Sequence, residues 1–229
     1  RWLAALSSCL ILACAAPLSV EDERRVALEA DRDVRRSMPL MRDDVVLGYV
    51  DRIGQAVVNT LGPQPYEYRF QVIENPEINA FTTGGGFVYV HTGTLLQARN
   101  VREVAGVIAH EIGHVMRRHV AAGYNRGRSA GILHTIGVLA GGILLGQAGA
   151  ELANLGGGIA AQAVLTTYTR EQETEADEFA VDVLPRAGYD PSGLVTFFQT
   201  IQREYGEGGI PFLASHPAPG DRIEATRAL

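Results

Sequence analysis

Residues 104–116 read Val-Ala-Gly-Val-Ile-Ala-His-Glu-Ile-Gly-His-Val-Met, an apolar run with three ionisable side chains set into it. Ala105, Ile108, Ile112, Val115 and Met116 recur at a spacing of three and four, which predicts a helix with one apolar stripe over Arg102–Ala122. His110 and His114 stand one turn apart on such a helix and share a face. Polar groups in an apolar setting are costly without partners, so His110, Glu111 and His114 require a ligand or a polar network. A chain with this segment at its centre must build an interior around a polar site.

His110-Glu111-Ile112-Gly113-His114 has the pattern H-E-x-x-H. Two neutral imidazoles on one face suit a zinc ion, and catalytic zinc keeps one position open for water. The metal acidifies that water, and a carboxylate beside it takes the proton. Glu111 adjoins His110 and can reach such a water, but it is poorly placed to be a ligand. Catalytic zinc usually takes a third protein ligand. The acidic segment Glu171–Glu178 offers several. Ala176, Ala180, Val183 and Leu184 mark its inward stripe, and Glu173 and Asp177 fall on that stripe. Glu171, Glu175, Glu178 and Asp182 fall on another, read as a solvated face. Glu173 is therefore the expected ligand, with Glu175 as the alternative. Asp177, one turn on, is placed to accept a hydrogen bond from a ligand histidine and fix its tautomer.

The rest of the pattern predicts an α+β chain: a mostly helical single domain with a small β-sheet beside the helix that bears His110. Helices are expected over 21–36 (exposed), 43–61, 94–98, 168–184 and from 190 onward, with a short last helix over 221–229 after a Gly/Pro loop. Alternation predicts a strand over 66–73, and Gly84-Gly85-Gly86 leads into a second over 87–90. That second strand is expected to be an exposed edge near the metal, able to accept an extended peptide. The apolar, Gly-rich segment 131–149 is expected to be a buried hairpin or a flap rather than a membrane span.

A length of 229 residues suits one domain, and 46% apolar residues exclude a disordered chain. The net charge of −6, with no Lys/Arg-rich run, gives no basis for nucleic-acid binding. The only two cysteines, Cys9 and Cys14, lie in the first fourteen residues, so a disulfide framework is excluded. Arg1, an apolar stretch and then Ala13-Cys14-Ala15-Ala16 read as a secretory signal over residues 1–16, ahead of a domain over 20–229. Ile11-Leu12-Ala13-Cys14 resembles a bacterial lipobox, which implies a lipid anchor through Cys14. Leu6-Ser7-Ser8-Cys9 is a weaker competitor, and simple export without lipid is the plainer alternative.

H-E-x-x-H, then Arg170-Glu171-Gln172-Glu173-x-Glu175-Ala176-Asp177, then His216-Pro217 together resemble the gluzincin metallopeptidase family that includes BepA, HtpX and the CAAX prenyl proteases. The soluble, exported BepA-like branch fits best. The resemblance runs from about Tyr49 to Leu229 and takes in Tyr49-Val50-x-x-Ile53-Gly54, Asn79-Ala80-Phe81, Phe87–Val90 and Arg118-His119. It implies a zincin-like fold and one zinc ion per chain, held by His110, His114 and Glu173. It also implies Glu111 as general base and Asp177 as a support for the ligands. His216 matches a histidine that either caps the metal in a resting state or assists catalysis at the oxyanion, and Arg222 matches an arginine that follows it. His119, five residues past His114, lies off the ligand face of a continuous helix and is read as structural. His91 and His134 match no ligand position.

The implied activity is zinc-dependent hydrolysis of internal peptide bonds. Its implied setting is the bacterial periplasm, with outer-membrane attachment as a lipoprotein. The implied substrates are misfolded or unassembled envelope polypeptides. No tetratricopeptide repeats follow in the sequence, so a built-in partner-binding module is not expected. The rival reading is an envelope chaperone or assembly factor whose zinc stays capped by His216.

Overall fold

Three strands and seven helices account for the regular structure of the described residues, and a single helix runs through the middle of them. The computed structural model describes residues 18–130 and 168–206, together with Phe212, His216, Arg222, Ile223 and Thr226. The signal and lipobox region, the 131–149 segment and most of the expected last helix lie outside the described residues.

Helix α1 spans Val20–Ser37 and α2 spans Asp44–Val58. The side chains of Ser19 and Asp43 accept hydrogen bonds from first-turn amides and so fix where these helices start. Strands β1 (Arg69–Ile73), β2 (Ala80–Gly84) and β3 (Phe87–His91) form a sheet in the order β1-β3-β2. β3 pairs parallel with β1 and antiparallel with β2. Helices α3 (Thr92–Gln97), α4 (Val101–Met116), α5 (His119–Ala130), α6 (Arg170–Arg186) and α7 (Ser192–Tyr205) follow.

The sheet separates two apolar clusters. Phe70, Val72, Ala80, Val88 and Val90 pack with α2, α4, α6 and α7. Ile73, Phe81, Phe87 and Tyr89 pack on the other face against Ala27, Ala30 and Val34 of α1 and against Val120. α4 is buried on every side from Glu103 to Val115. Two glycines allow that. A Cβ on Gly106 would stand 2.7 Å from the Leu194 amide nitrogen, and one on Gly113 would stand 3.0 Å from the Ala176 Cα. α7 and α6 therefore run against the backbone of α4, and the Gly113 contact brings the acidic positions of α6 beside the histidines.

Three expectations need correction. β3 is the central strand, paired on both sides and buried at all five positions, so it cannot receive a peptide as an edge. Its companion β2 was not anticipated. It has one neighbour among the described residues, and all five of its residues are buried. Helix α1 is not merely exposed. Glu23, Ala27, Ala30, Asp31 and Val34 form a buried face against the sheet. The expected helix over 102–122 is two helices, because Arg117 caps α4 and Arg118 takes a left-handed conformation (φ 55°) before α5 begins.

Candidate metal centre

α4 is anchored at its start by Asn100, whose side chain accepts from the Glu103 amide at 3.3 Å, while Glu103 accepts from the Arg99 amide at 2.9 Å. α6 starts on a reciprocal cap in which Thr169 accepts from the Gln172 amide and Gln172 accepts from the Thr169 amide. Both helices are thus fixed in register where they cross. His110, Glu111, His114 and Glu173 meet at that crossing, and His216 reaches it from the C-terminal segment. All five are 0% exposed.

His110 Nε2 and His114 Nε2 face each other at 3.0 Å. His216 Nδ1 stands 3.3 Å from His110 Nε2 and 2.9 Å from Glu173 Oε1. The Glu173 oxygens lie 3.4 Å from His114 Nε2 and 3.6 Å from His110 Nε2. Four bonds of about 2.0–2.1 Å to a tetrahedral zinc imply ligand–ligand separations of about 3.3–3.4 Å. One donor atom from each of these four residues falls within 4.8 Å of all the others. Lone pairs turned toward one another at this range repel unless a cation lies among them. The donor set therefore fits zinc in both chemistry and spacing.

The tautomers follow from the outer partners. His110 Nδ1 is 2.9 Å from Asp177 Oδ1, so it donates there and leaves Nε2 bare toward the centre. Asp177 is itself held in a fork by Arg222, through Nε at 2.8 Å and a terminal nitrogen at 2.7 Å. The remaining Arg222 nitrogen ion-pairs with Glu173, and the guanidinium lies over the Phe198 ring at 4.5 Å. Thus Asp177 and Arg222 are brought together with the centre. Arg222 is buried, with its donors turned to the two acids.

Burial alone would push the Glu173 carboxyl up. Coulombic attraction from His216 and Arg222 outweighs that and holds it well below the usual carboxylate range. Asp177 is likewise held low, because Arg222 outweighs its burial. Burial pushes Glu111 up, against the pull of His216 and His110. Neither Glu111 oxygen has a hydrogen-bond partner, and His216 Nε2 approaches Oε1 only at 3.4 Å, outside hydrogen-bonding geometry. Burial would lower His216, yet Glu173 and Glu111 together raise it. Burial pushes His114 well below its ordinary value.

Two residues at the centre were missed or misread from sequence. Tyr168 stacks on the His114 ring at 3.6 Å between centroids and 16° between planes. Nothing in the sequence marks it beyond its place just before the Thr169 cap. His119, expected to lie off the ligand face, has Nδ1 2.9 Å from His114 Nδ1 and Nε2 3.1 Å from Glu175 Oε2. The helix break at Arg118 turns it back. Glu175, weighed as an alternative ligand, faces His119 rather than the donor cluster. Burial lowers the His119 pKa, and Glu175 offsets part of that shift. His91 lies apart from the centre, at the end of β3 beside Phe81, and His134 is outside the described residues.

The profile of Peptidase family M48 matches residues 47–229. A putative beta-barrel assembly-enhancing protease of Vibrio cholerae serotype O1 is 35% identical over 204 residues, covering 86% of this chain and 41% of that protein. The beta-barrel assembly-enhancing protease of Escherichia coli K12 is 33% identical over 215 residues, covering 92% of this chain and 44% of that protein. Metalloprotease LoiP of Escherichia coli K12 is 31% identical over 176 residues, covering 76% of this chain and 67% of that protein. The chain spans less than half the length of the first two relatives.

Proposed function

The chain belongs to peptidase family M48, and from that membership we propose that it is a zinc-dependent endopeptidase acting on misfolded or unassembled envelope proteins. His110, His114 and Glu173 would hold one zinc ion. A zinc ion so held supplies a Lewis acid and an acidified water. The observation that carries the reading is Glu111, a fully buried carboxylate with neither oxygen hydrogen-bonded among the described residues and one of them 3.4 Å from His216 Nε2, a member of the four-residue donor set. A buried acid left in that condition is expensive unless it has a proton to move. Its raised pKa suits it to accept a proton from the attacking water and return it to the leaving amine.

His216 occupies the fourth corner, where substrate or water would otherwise bind. Every donor residue is 0% exposed, so in this arrangement the centre is covered. It is a resting state in our reading, with His216 as the cap, and turnover requires the C-terminal segment to withdraw. In this arrangement Arg222 and Asp177 hold Glu173 and His110 in place. The capped centre also favours a second reading, an envelope chaperone or assembly factor that rarely cleaves. Export and attachment to the outer membrane through Cys14 belong to the proposal. No described helix is long and apolar enough to cross a membrane.

The test is digestion of a casein-type substrate with and without chelator, by wild type, Glu111→Gln and His216→Ala. The expected outcome is chelator-sensitive cleavage, its loss in Glu111→Gln, and activity in His216→Ala at or above wild type. Undiminished proteolysis by Glu111→Gln sinks the enzyme reading. Loss of cleavage with cellular function intact favours the binding reading. A dead His216→Ala makes that side chain a participant in catalysis rather than a cap.

A further inference from the structure

His110 and His114 are supported in different ways. His110 has a carboxylate directly behind it, Asp177 at 2.9 Å. Behind His114 stands another imidazole, His119, at the same 2.9 Å, and behind that the Glu175 carboxylate at 3.1 Å. In an unbroken helix, at about 100° per residue, residue 119 would point roughly 140° away from His114. Arg118 prevents this. It is the one described non-glycine residue with positive φ, at 55°. Its Nε donates to the buried Glu23 at 2.6 Å, and another of its nitrogens donates to the Leu18 carbonyl at 2.5 Å. The left-handed conformation is unfavourable for a residue with a Cβ. Here that conformation is held by bonds to Glu23 of α1 and to Leu18 just ahead of it, and its consequence is the placement of His119.

We propose that His119, steered by Glu175, is the positioning residue for His114. This rests on the zinc reading given above. The proton assignment is forced once His114 Nε2 faces the donor cluster. His114 then carries its proton on Nδ1 and donates it to His119 Nδ1. His119 must accept there, so its own proton is on Nε2 and is donated to Glu175. The chain ends on a carboxylate whose side chain is 51% exposed, while His119 is 4% exposed. Tyr168 covers the face of the His114 ring. Stacking by Tyr168 restrains the ring's tilt, and the bond to His119 fixes its rotation and its tautomer.

The experiment measures zinc affinity by competition with a chromophoric chelator, beside the thermal melting of the metal-free protein. His119→Phe fills the space and offers no acceptor, whereas Asn can place Oδ1 where Nδ1 was. We expect His119→Phe to weaken zinc binding by about 10–100-fold, as loss of an outer hydrogen bond to a ligand does. His119→Asn should recover most of that loss, and Glu175→Gln should weaken binding by less than Phe. A purely structural role would order the variants by melting temperature instead. Phe binding zinc within about threefold of wild type, or Asn binding no better than Phe, overturns the proposal. Nitrogen-15 spectra of the histidines in zinc-loaded wild type test it without a substitution. A proton on His119 Nε2 supports it, and one on Nδ1 overturns it. Wild-type protein that binds no zinc at all is a different failure, sinking the zinc reading and this inference with it.

Discussion

Two buried clusters of acids lie on opposite sides of the sheet, and they differ in what is left over. Under α1, Asp31 accepts the Tyr89 hydroxyl at 2.7 Å and Arg35 Nε at 2.8 and 3.0 Å. Glu23 accepts the Tyr66 hydroxyl at 2.7 Å and Arg118 Nε at 2.6 Å. Of the four carboxylate oxygens on these two residues, one, Glu23 Oε1, lacks a hydrogen bond, yet both residues are as hidden as many core groups, at 2% and 6% exposed. At the crossing of α4 and α6 the acids and histidines are more deeply buried, and both Glu111 oxygens and His216 Nε2 remain unpartnered. Burial of charge alone therefore does not mark a functional centre. Satisfied acids fasten the fold, and unsatisfied ones point to something the protein has yet to bind or move.

Neutralising one acid in each cluster breaks the comparison most sharply. Glu111→Gln should lower kcat by about 10²–10⁴-fold, the usual contribution of a general base. The same change should leave the metal-free fold equally or more stable. Burial raises the Glu111 pKa, so the folded state binds this proton more tightly than the unfolded one. Its stabilising contribution is present at acid pH and lost as pH rises through the raised pKa, so the wild type falls behind the Gln variant toward neutral pH. Asp31→Ala should do the reverse. It strands the Tyr89 hydroxyl and unpairs Arg35, at about 2–4 kcal/mol, with kcat/KM unchanged. Denaturant unfolding and peptide cleavage on both variants check the pair. Similar stability losses in the two would erase the distinction.

The part of the centre that reads directly from sequence is the part governed by helical spacing. His110 and His114 sit one turn apart within α4, and Glu173 and Asp177 share the inward stripe of α6, because 3.6-residue periodicity survives into the fold. His119 was unreadable for the same reason. Periodicity assumes the helix continues, and nothing in Met116-Arg117-Arg118-His119 announces a left-handed arginine, since glycine is the residue expected there. The stop depends on Glu23, nearly a hundred residues away in sequence. β2 was lost similarly. Asn79-Ala80-Phe81-Thr82-Thr83 shows no alternation because both of its faces are covered. β3 was found as a strand, but its pairing on two sides is a long-range fact that a local pattern does not contain.

His91 is the intermediate case between the two clusters and makes the finest test of the comparison. It sits in β3 at 1% exposure with its ring edge-on to Phe81, 6.1 Å between centroids. Among the described residues neither ring nitrogen makes a hydrogen bond of good geometry, and the nearby Glu77 backbone gives it only weak support. It resembles Glu111 in lacking a good hydrogen bond, but it belongs to no group of metal-binding donors among the described residues. Burial lowers its pKa to about 4, the Glu77 backbone offsetting only part of the shift. Its unfolded value is near 6.5, so the unfolded chain takes up the proton first as the medium is acidified. Stability is therefore complete above about pH 6.5 and drains away as pH falls toward 4, by about 2 kcal/mol between pH 7 and 5. His91→Leu, similar in volume and without polar atoms, should stay within about 1 kcal/mol of wild type at pH 7 and lack this component of acid sensitivity. Unfolding curves in denaturant at pH 7, 6 and 5 decide it. Parallel losses in wild type and variant would mean that the His91 ring finds a partner when protonated, and that an orphaned group outside the centre is not simply a burden on the fold.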